Sequence, residues 1–451
     1  MNTTLRQILR DRITSLLDDE VISAKTRVRP AAIKIPAGES PEVTEARLRK
    51  ALESIFIATR QVRRIIRQIV GASLGFSDTR YDDAINYLRH VYEKAPPTEG
   101  PASTAICLTG LAGVGKSTLA RAIERLMQID ECIFIDHGHD PFPSNHCISV
   151  SFREHRTIAA VLKKISYPDG ESVPPRARVD VLAKQVRWRA FRDFSLLMVA
   201  DECQFITRGK DANTVATDIL MTLMGIDVPL AFVANYSLCH KLKRRPQEDR
   251  HRLLCRPIVM DPEVPGSDDW REYLAECTRV AGRWLRISVE DDEQTIFRMS
   301  FGIKRIVVHL LCLAYRHMVQ DGRKTVTLKD LQEAYLSPDN MHRREVEELL
   351  AQMHTGREPS MDLLCPFDVD SPLNYVADQM KRERDAQIVH TYTEQSLSVS
   401  ERKALDALNR KISGAPKTPP APKTKRAIPP LSAAGLLAGY SKLRESVQPR
   451  R

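Results

Sequence analysis

The run Gly110-Leu111-Ala112-Gly113-Val114-Gly115-Lys116-Ser117-Thr118 fits G-x-x-x-x-G-K-[ST] at every fixed position. Glycines let the backbone turn tightly and approach an anion, so that successive N–H groups and the start of the following helix face phosphate oxygens. Gly110, Gly113, Val114 and Gly115 supply that cradle, Lys116 would reach the β- and γ-phosphates, and the Ser117 hydroxyl would ligate Mg²⁺ with Thr118 next along the helix. A second block, Leu196-Leu197-Met198-Val199-Ala200, ends in Asp201-Glu202-Cys203-Gln204. Asp201 would hold the Mg²⁺ shell and Glu202 would orient and polarise an attacking water. Adjacent carboxylates are common on protein surfaces, but an exposed pair seldom follows five apolar residues. Small-molecule kinases with this loop usually lack the adjacent glutamate, so the two blocks together predict hydrolysis of ATP with Mg²⁺ as cofactor.

These residues need a strand before the loop, a helix after it and a second strand ending at Asp201. Ala105-Ile106-Cys107-Leu108 reads as the first strand and Leu119 to Ile123 as helix. Further strands are expected at Cys147–Phe152, Leu230–Ala234 and Ile258–Met260, with helices at Thr157–Ile165, Arg176–Phe191 and Asp211–Met224. Alternating strands and helices imply an α/β core with a parallel sheet covered on both faces, and ligands at the carboxyl edge of its strands. That edge gathers the phosphate loop, Asp201 and Asn235.

Five segments are expected in the chain of 451 residues: a helical N-terminal extension (1–100), the nucleotide-binding core (101–265), a four-helix lid (266–337), C-terminal helices (338–412) and a tail (413–451). The shorter helices run from about Met341 to Met353 and Val399 to Ile412. An extended arm, Arg27 to Pro41, interrupts the first segment. The formal charge is +10, from 68 basic and 58 acidic residues. Much of the excess is local, because Ser413 to Arg451 holds eight Lys or Arg against the single acid Glu445. That proline- and lysine-rich tail cannot bury a core and is expected to be disordered, either as a plain solvated linker or as a peptide that folds on a partner. Nine cysteines without a C-x-x-C pair suit reduced thiols rather than zinc or disulfides. Neither a signal-like N-terminus nor an apolar run of membrane-spanning length occurs, which predicts a soluble intracellular protein with no membrane partner.

The order of elements resembles that of the AAA+ ATPases. Val228 to Asn235 ends a strand in a polar residue placed as the family places sensor 1, although Ala234-Asn235 stands where members commonly have Gly-Thr. Arg250 to Ile258 resembles the arginine-rich stretch that supplies an arginine finger; Arg256, directly before the strand, is preferred and Arg252 is the alternative. Gly302-Ile303-Lys304-Arg305 resembles the opening of the sensor 2 helix, with Arg305 in the sensor position. The DECQ block, the phrase Val228 to Leu238 and the lid phrase Phe301 to Leu311 followed by Thr325 to Leu331 are similar to the TnsC/TniB transposition regulators, and more distantly to IstB and DnaC. The resemblance covers about residues 50 to 337. It implies a bacterial cytoplasmic, nucleoid-associated homo-oligomer, a ring or filament with ATP at subunit interfaces, which surrounds duplex DNA without reading its sequence. Transposase subunits and a target-selection protein are the implied partners, with the tail docking on the transposase. Arg153, Arg156, Lys163 and Lys164 are candidate DNA contacts, although for any single one of them a solvated helix face is the commoner role. Two other classes compete: a signalling NTPase that uses ATP as a switch, and a replication initiator or helicase loader.

Overall fold

The computed structural model describes residues 4–34, 39–95, 97, 105–129, 132–135, 138–154, 157–167, 177–207 and 212–396. Five helices come first: α1 (Leu5–Ser15), α2 (Asp19–Thr26), α3 (Pro41–Ser54), α4 (Arg60–Arg80) and α5 (Ala84–Tyr92). Each starts behind a Thr, Asp or Ser whose side chain accepts an N–H of the first turn. Such caps satisfy donors that the helix itself leaves unpaired.

The core runs β1 (Ala105–Gly110), α6 (Lys116–Met127), β2 (Cys147–Ser151), α7 (Ile158–Ser166), α8 (Val179–Arg192), β3 (Leu197–Asp201), α9 (Ala212–Met224), β4 (Leu230–Val233), α10 (Tyr236–Lys243), α11 (Gln247–Leu254) and β5 (Arg256–Met260). All strands are parallel, in the order β2-β3-β4-β1-β5. The expected α/β core with a parallel sheet is therefore observed. Period-two alternation gives the sheet its two faces. Ile106, Leu108, Val199 and Val233 point into one core, whereas Ala105, Cys107, Met198 and Phe232 point into the other with the apolar faces of α7 to α10. Because β4 separates β1 from β3, its end at Asn235 falls between the phosphate loop and Asp201.

Beyond β5 come the four expected lid helices, α12 (Asp268–Ala281), α13 (Val289–Ser300), α14 (Lys304–Gln320) and α15 (Leu328–Leu336). Helix α16 (Arg343–Thr355) matches the expectation near Met341–Met353, and the chain continues into α17 (Pro372–Ser396). Sequence periodicity did not reveal α17, because its 25 residues are mostly charged and polar with no apolar stripe. The expected helix at Val399–Ile412 and the tail from Ser413 lie outside the described residues.

The N-terminal helices do not stand apart from the rest. The described residues up to Asp385 form one compact unit, and Ala386 onward belong to a second. Leu9, Ile13, Ile65 and Ile69 share a hydrophobic core with α6, one sheet face and the lid. Tyr81 stacks on Phe191 at 5.3 Å and Tyr87 on Phe194 at 4.6 Å, and their hydroxyls donate to the carbonyls of Phe191 and Arg192. The arm between α2 and α3 fastens to the lid. Arg29 pairs with Glu276 at 3.1 Å and the Ile33 N–H donates to the Val280 carbonyl at 2.8 Å. Hydrogen bonds from Arg279 and Arg29 hold the buried Glu276 carboxyl down at about 2.

Candidate functional site

Gly115 caps α6 with φ +116, a left-handed conformation that favours glycine, so the helix begins directly at Lys116. The Val114 side chain is buried in the core, so only its backbone is left to face a ligand. The Lys116 ammonium donates to the carbonyls of Gly110 and Leu111, both at 2.8 Å. Burial, and then the charge of Arg305, push its pKa down to about 8. One residue on, the Ser117 hydroxyl donates to Asp201 Oδ1 at 3.0 Å and lies 3.5 Å from Glu202 Oε1. Asp201 Oδ1 also accepts the Glu202 N–H at 2.8 Å. Burial raises the Asp201 pKa, and these two hydrogen bonds oppose the rise.

A cleft of about 630 Å³ opens over these groups, lined by Gly113, Gly115, Lys116, Ser117, Thr118 and Glu202 together with Asn235, Arg305 and Arg153. Asn235 caps α10, its Oδ1 accepting from the Leu238 N–H at 3.1 Å and the Ser237 hydroxyl at 2.9 Å. The Arg305 N–H donates to the Gly113 carbonyl at 3.2 Å, so the first turn of α14 rests on the phosphate loop. A Cβ on Gly113 would lie 2.6 Å from Arg305 Cβ, which is why this loop position has no room for a side chain. Next to it Lys304 pairs with Glu263 at 2.8 Å, tying the lid to the linker that follows β5.

The cleft also takes in residues that the motifs did not mark: Leu52, Glu53 and Ile55 from the N-terminal extension, Tyr273 from the lid, and Arg121. Arg121 was within reach of sequence reasoning, since it lies one helical turn beyond Ser117. The other four carry no local signal and arrive through tertiary packing.

Both finger candidates lie away from this cleft. Arg256 opens β5 opposite Ile106, whereas Gly110 pairs with Met260 at the far end of the same register. Four residues of strand, about 13 Å, separate the two levels. Arg256 is exposed, and Arg252 on α11 is exposed and pairs with Glu248 at 2.6 Å. Of the candidate DNA contacts, Arg153 is among the residues that line this cleft, in the turn after β2. Lys163 and Lys164 occupy the last turn of α7, where cations complement the helix dipole, and Lys164 faces a separate cavity of about 550 Å³. Arg156 lies outside the described residues. Described cysteines are all free, and no group of three metal-ligating His, Cys, Asp or Glu occurs among the described residues. No helix among them is long and apolar enough to cross a membrane.

By sequence, no family model and no curated protein matches the chain. Among solved structures, Aeropyrum pernix ORC1 in complex with DNA is similar at 16% identity and a TM-score of 0.39, over 72% of this chain and 82% of that one. Cdc6p from Pyrobaculum aerophilum gives 15% and 0.38 over 81% and 90% of the two chains. Drosophila ORC bound to DNA gives 11% and 0.40 over 96% and 92%. At these scores the likeness assigns neither activity nor partner. The sheet order, the loop and the helical lid make this an AAA+-like core.

Proposed function

We propose that this chain is a Mg²⁺-dependent ATPase of AAA+ type that assembles on duplex DNA and acts there as a nucleotide-controlled regulator. The observation that carries the reading is the convergence of Lys116, Ser117 and Glu202 in one cleft roofed by Arg305, with Asp201 hydrogen-bonded to Ser117. Lys116 and the loop N–H groups bind the phosphate chain, and Arg305 brings the lid onto it. Ser117 and Asp201 are hard oxygen donors already drawn together, the set that suits Mg²⁺, which when bound neutralises phosphate charge. Glu202 then holds the attacking water and accepts its proton.

Arg256 begins β5 about 13 Å of strand away from the level of its own cleft, and Arg252 is not among the residues that line it, which favours action on a neighbouring subunit's nucleotide and hence a homo-oligomer. Such an assembly would bind DNA through phosphates, without base readout, so binding should need ATP and weaken steeply with salt. The DECQ block and the lid phrase favour service to a transposase and a target-selection protein. A replication initiator or helicase loader would use the same cleft, and is told apart by which protein the ATP-bound form captures from purified candidates.

The decisive experiment compares Lys116→Ala with Glu202→Gln. Lys116→Ala should lose nucleotide binding. Glu202→Gln should retain binding while hydrolysis drops by about 10²–10⁴-fold, the usual worth of a positioned general base. Wild-type turnover by Glu202→Gln would remove the catalytic assignment.

A further inference from the structure

β3 ends at Asp201, and Glu202 then takes φ +58, a left-handed value uncommon for a non-glycine residue. The turn this makes leads straight into a 3-10 turn, Cys203–Thr207, closed by the Phe205 N–H donating to the Glu202 carbonyl at 3.0 Å. Gln204 lies inside that turn and lines the cleft, and its amide Nε2 donates to Glu202 Oε2. The other carboxylate oxygen, Oε1, faces the Ser117 hydroxyl. The Ser117 proton goes to Asp201, so the donor that holds the Glu202 carboxylate is the neutral amide of Gln204. The cleft that surrounds it also contains Lys116, Arg121, Arg153 and Arg305, any of which would attract a carboxylate free to rotate.

We infer that Gln204 is the positioning residue of Glu202: its amide fixes the carboxylate in one orientation and keeps it out of ion pairs with the cleft's cations. The inference rests on the proposed role of Glu202 as the base. A primary amide suits the task because only its NH₂ can face an ionised carboxylate, and it offers that donor without the charge that would hold the base in a salt bridge. Length matters as well, since the side chain left by Gln204→Asn is one methylene shorter and would not span the same gap. Misplacing a catalytic group by about 1 Å can cost about 10²-fold in rate, so a hydrogen bond that selects a rotamer acts on turnover rather than on nucleotide affinity.

The test measures steady-state ATPase kinetics from pH 5.5 to 8.5 for the full-length protein and for Gln204→Ala, Gln204→Glu and Glu202→Gln, with fluorescent-nucleotide binding as the control for folding. Gln204→Ala should lower kcat by about 10–100-fold with KM for ATP within about twofold. Gln204→Glu should be as slow at pH 8 but regain activity as pH falls, because a protonated carboxyl at this position donates to Glu202 as the amide does while an ionised one repels it. A merely structural glutamine would not produce that inverted pH profile. Wild-type kcat and an unshifted profile in Gln204→Ala, beside an inactive Glu202→Gln, would overturn this inference and leave the role of Glu202 standing. Loss of nucleotide binding in Gln204→Ala would also overturn it, since the residue would then support the fold of the turn. Wild-type turnover by Glu202→Gln would overturn both.

Discussion

Lys116 is held where burial and the neighbouring charge of Arg305 both disfavour its ammonium. Its ammonium is satisfied by two loop carbonyls, yet burial and the nearby Arg305 bring its pKa to about 8 from an ordinary 10.5. The unfolded chain therefore binds more protons between those two values, and this lysine's contribution to stability improves as pH rises through that window. A phosphate chain reverses the balance by favouring the charged form. ATP binding above pH 8 should then take up a proton, and affinity should fall by up to about tenfold per pH unit. Calorimetric titration at pH 7.5 and 9.0, in two buffers of different ionisation heat, checks both effects; equal affinities with no proton uptake would contradict them. Lys116, Ser117, Asp201 and Glu202 were legible in the sequence because local spacing fixes their geometry: a loop on a helix N-terminus and an acidic pair at a strand end. The grip of Gln204 on Glu202 was not, since it depends on a left-handed backbone at Glu202 that no residue type there announces.

At the scale of elements, neighbouring lid residues hold it to the core: Arg305 on Gly113, and Gly302 and Lys304 on Glu263. Gly302 has φ +66, and a Cβ there would run into the Glu263 carbonyl oxygen, while the Glu263 N–H donates to the Gly302 carbonyl at 3.2 Å. Gly302→Ala combines a left-handed penalty with that collision, so it should destabilise the fold by about 2–4 kcal/mol. Urea unfolding measures the loss, and an unchanged midpoint would mean that the linker after β5 yields at little cost. Strands and core helices were readable because each carries an apolar period of 2 or 3.6. α17 carries neither. The arm between α2 and α3 reads as a spacer, and its attachment to the lid through Arg29, Glu276 and Arg279 is a contact between distant segments that composition does not encode.

At the scale of the whole molecule, the parallel sheet sets a distance that a single chain cannot bridge. The phosphate loop occupies the carboxyl edge of β1, whereas Arg256 begins β5 at the amino edge, paired across from Ile106. An arginine side chain reaches about half of the 13 Å or so that separate the two levels, so a catalytic Arg256 has to serve another subunit's cleft. Activity should accordingly rise more than linearly with protein concentration until assembly saturates. Arg256→Ala should bind nucleotide normally and lose about 10³-fold in turnover, the lower end of what an arginine finger supplies. Lys116→Ala should be inactive for the opposite reason, having its finger but no nucleotide. Mixing the two inactive proteins pairs a Lys116→Ala subunit's Arg256 with an Arg256→Ala subunit's intact cleft, and ATP hydrolysis should reappear in proportion to the mixed interfaces. If Arg256→Ala alone is fully active, the exposed Arg252 on α11 becomes the residue to put through the same mixing experiment. If Arg256→Ala is inactive and mixing restores nothing, Arg256 serves its own subunit's fold.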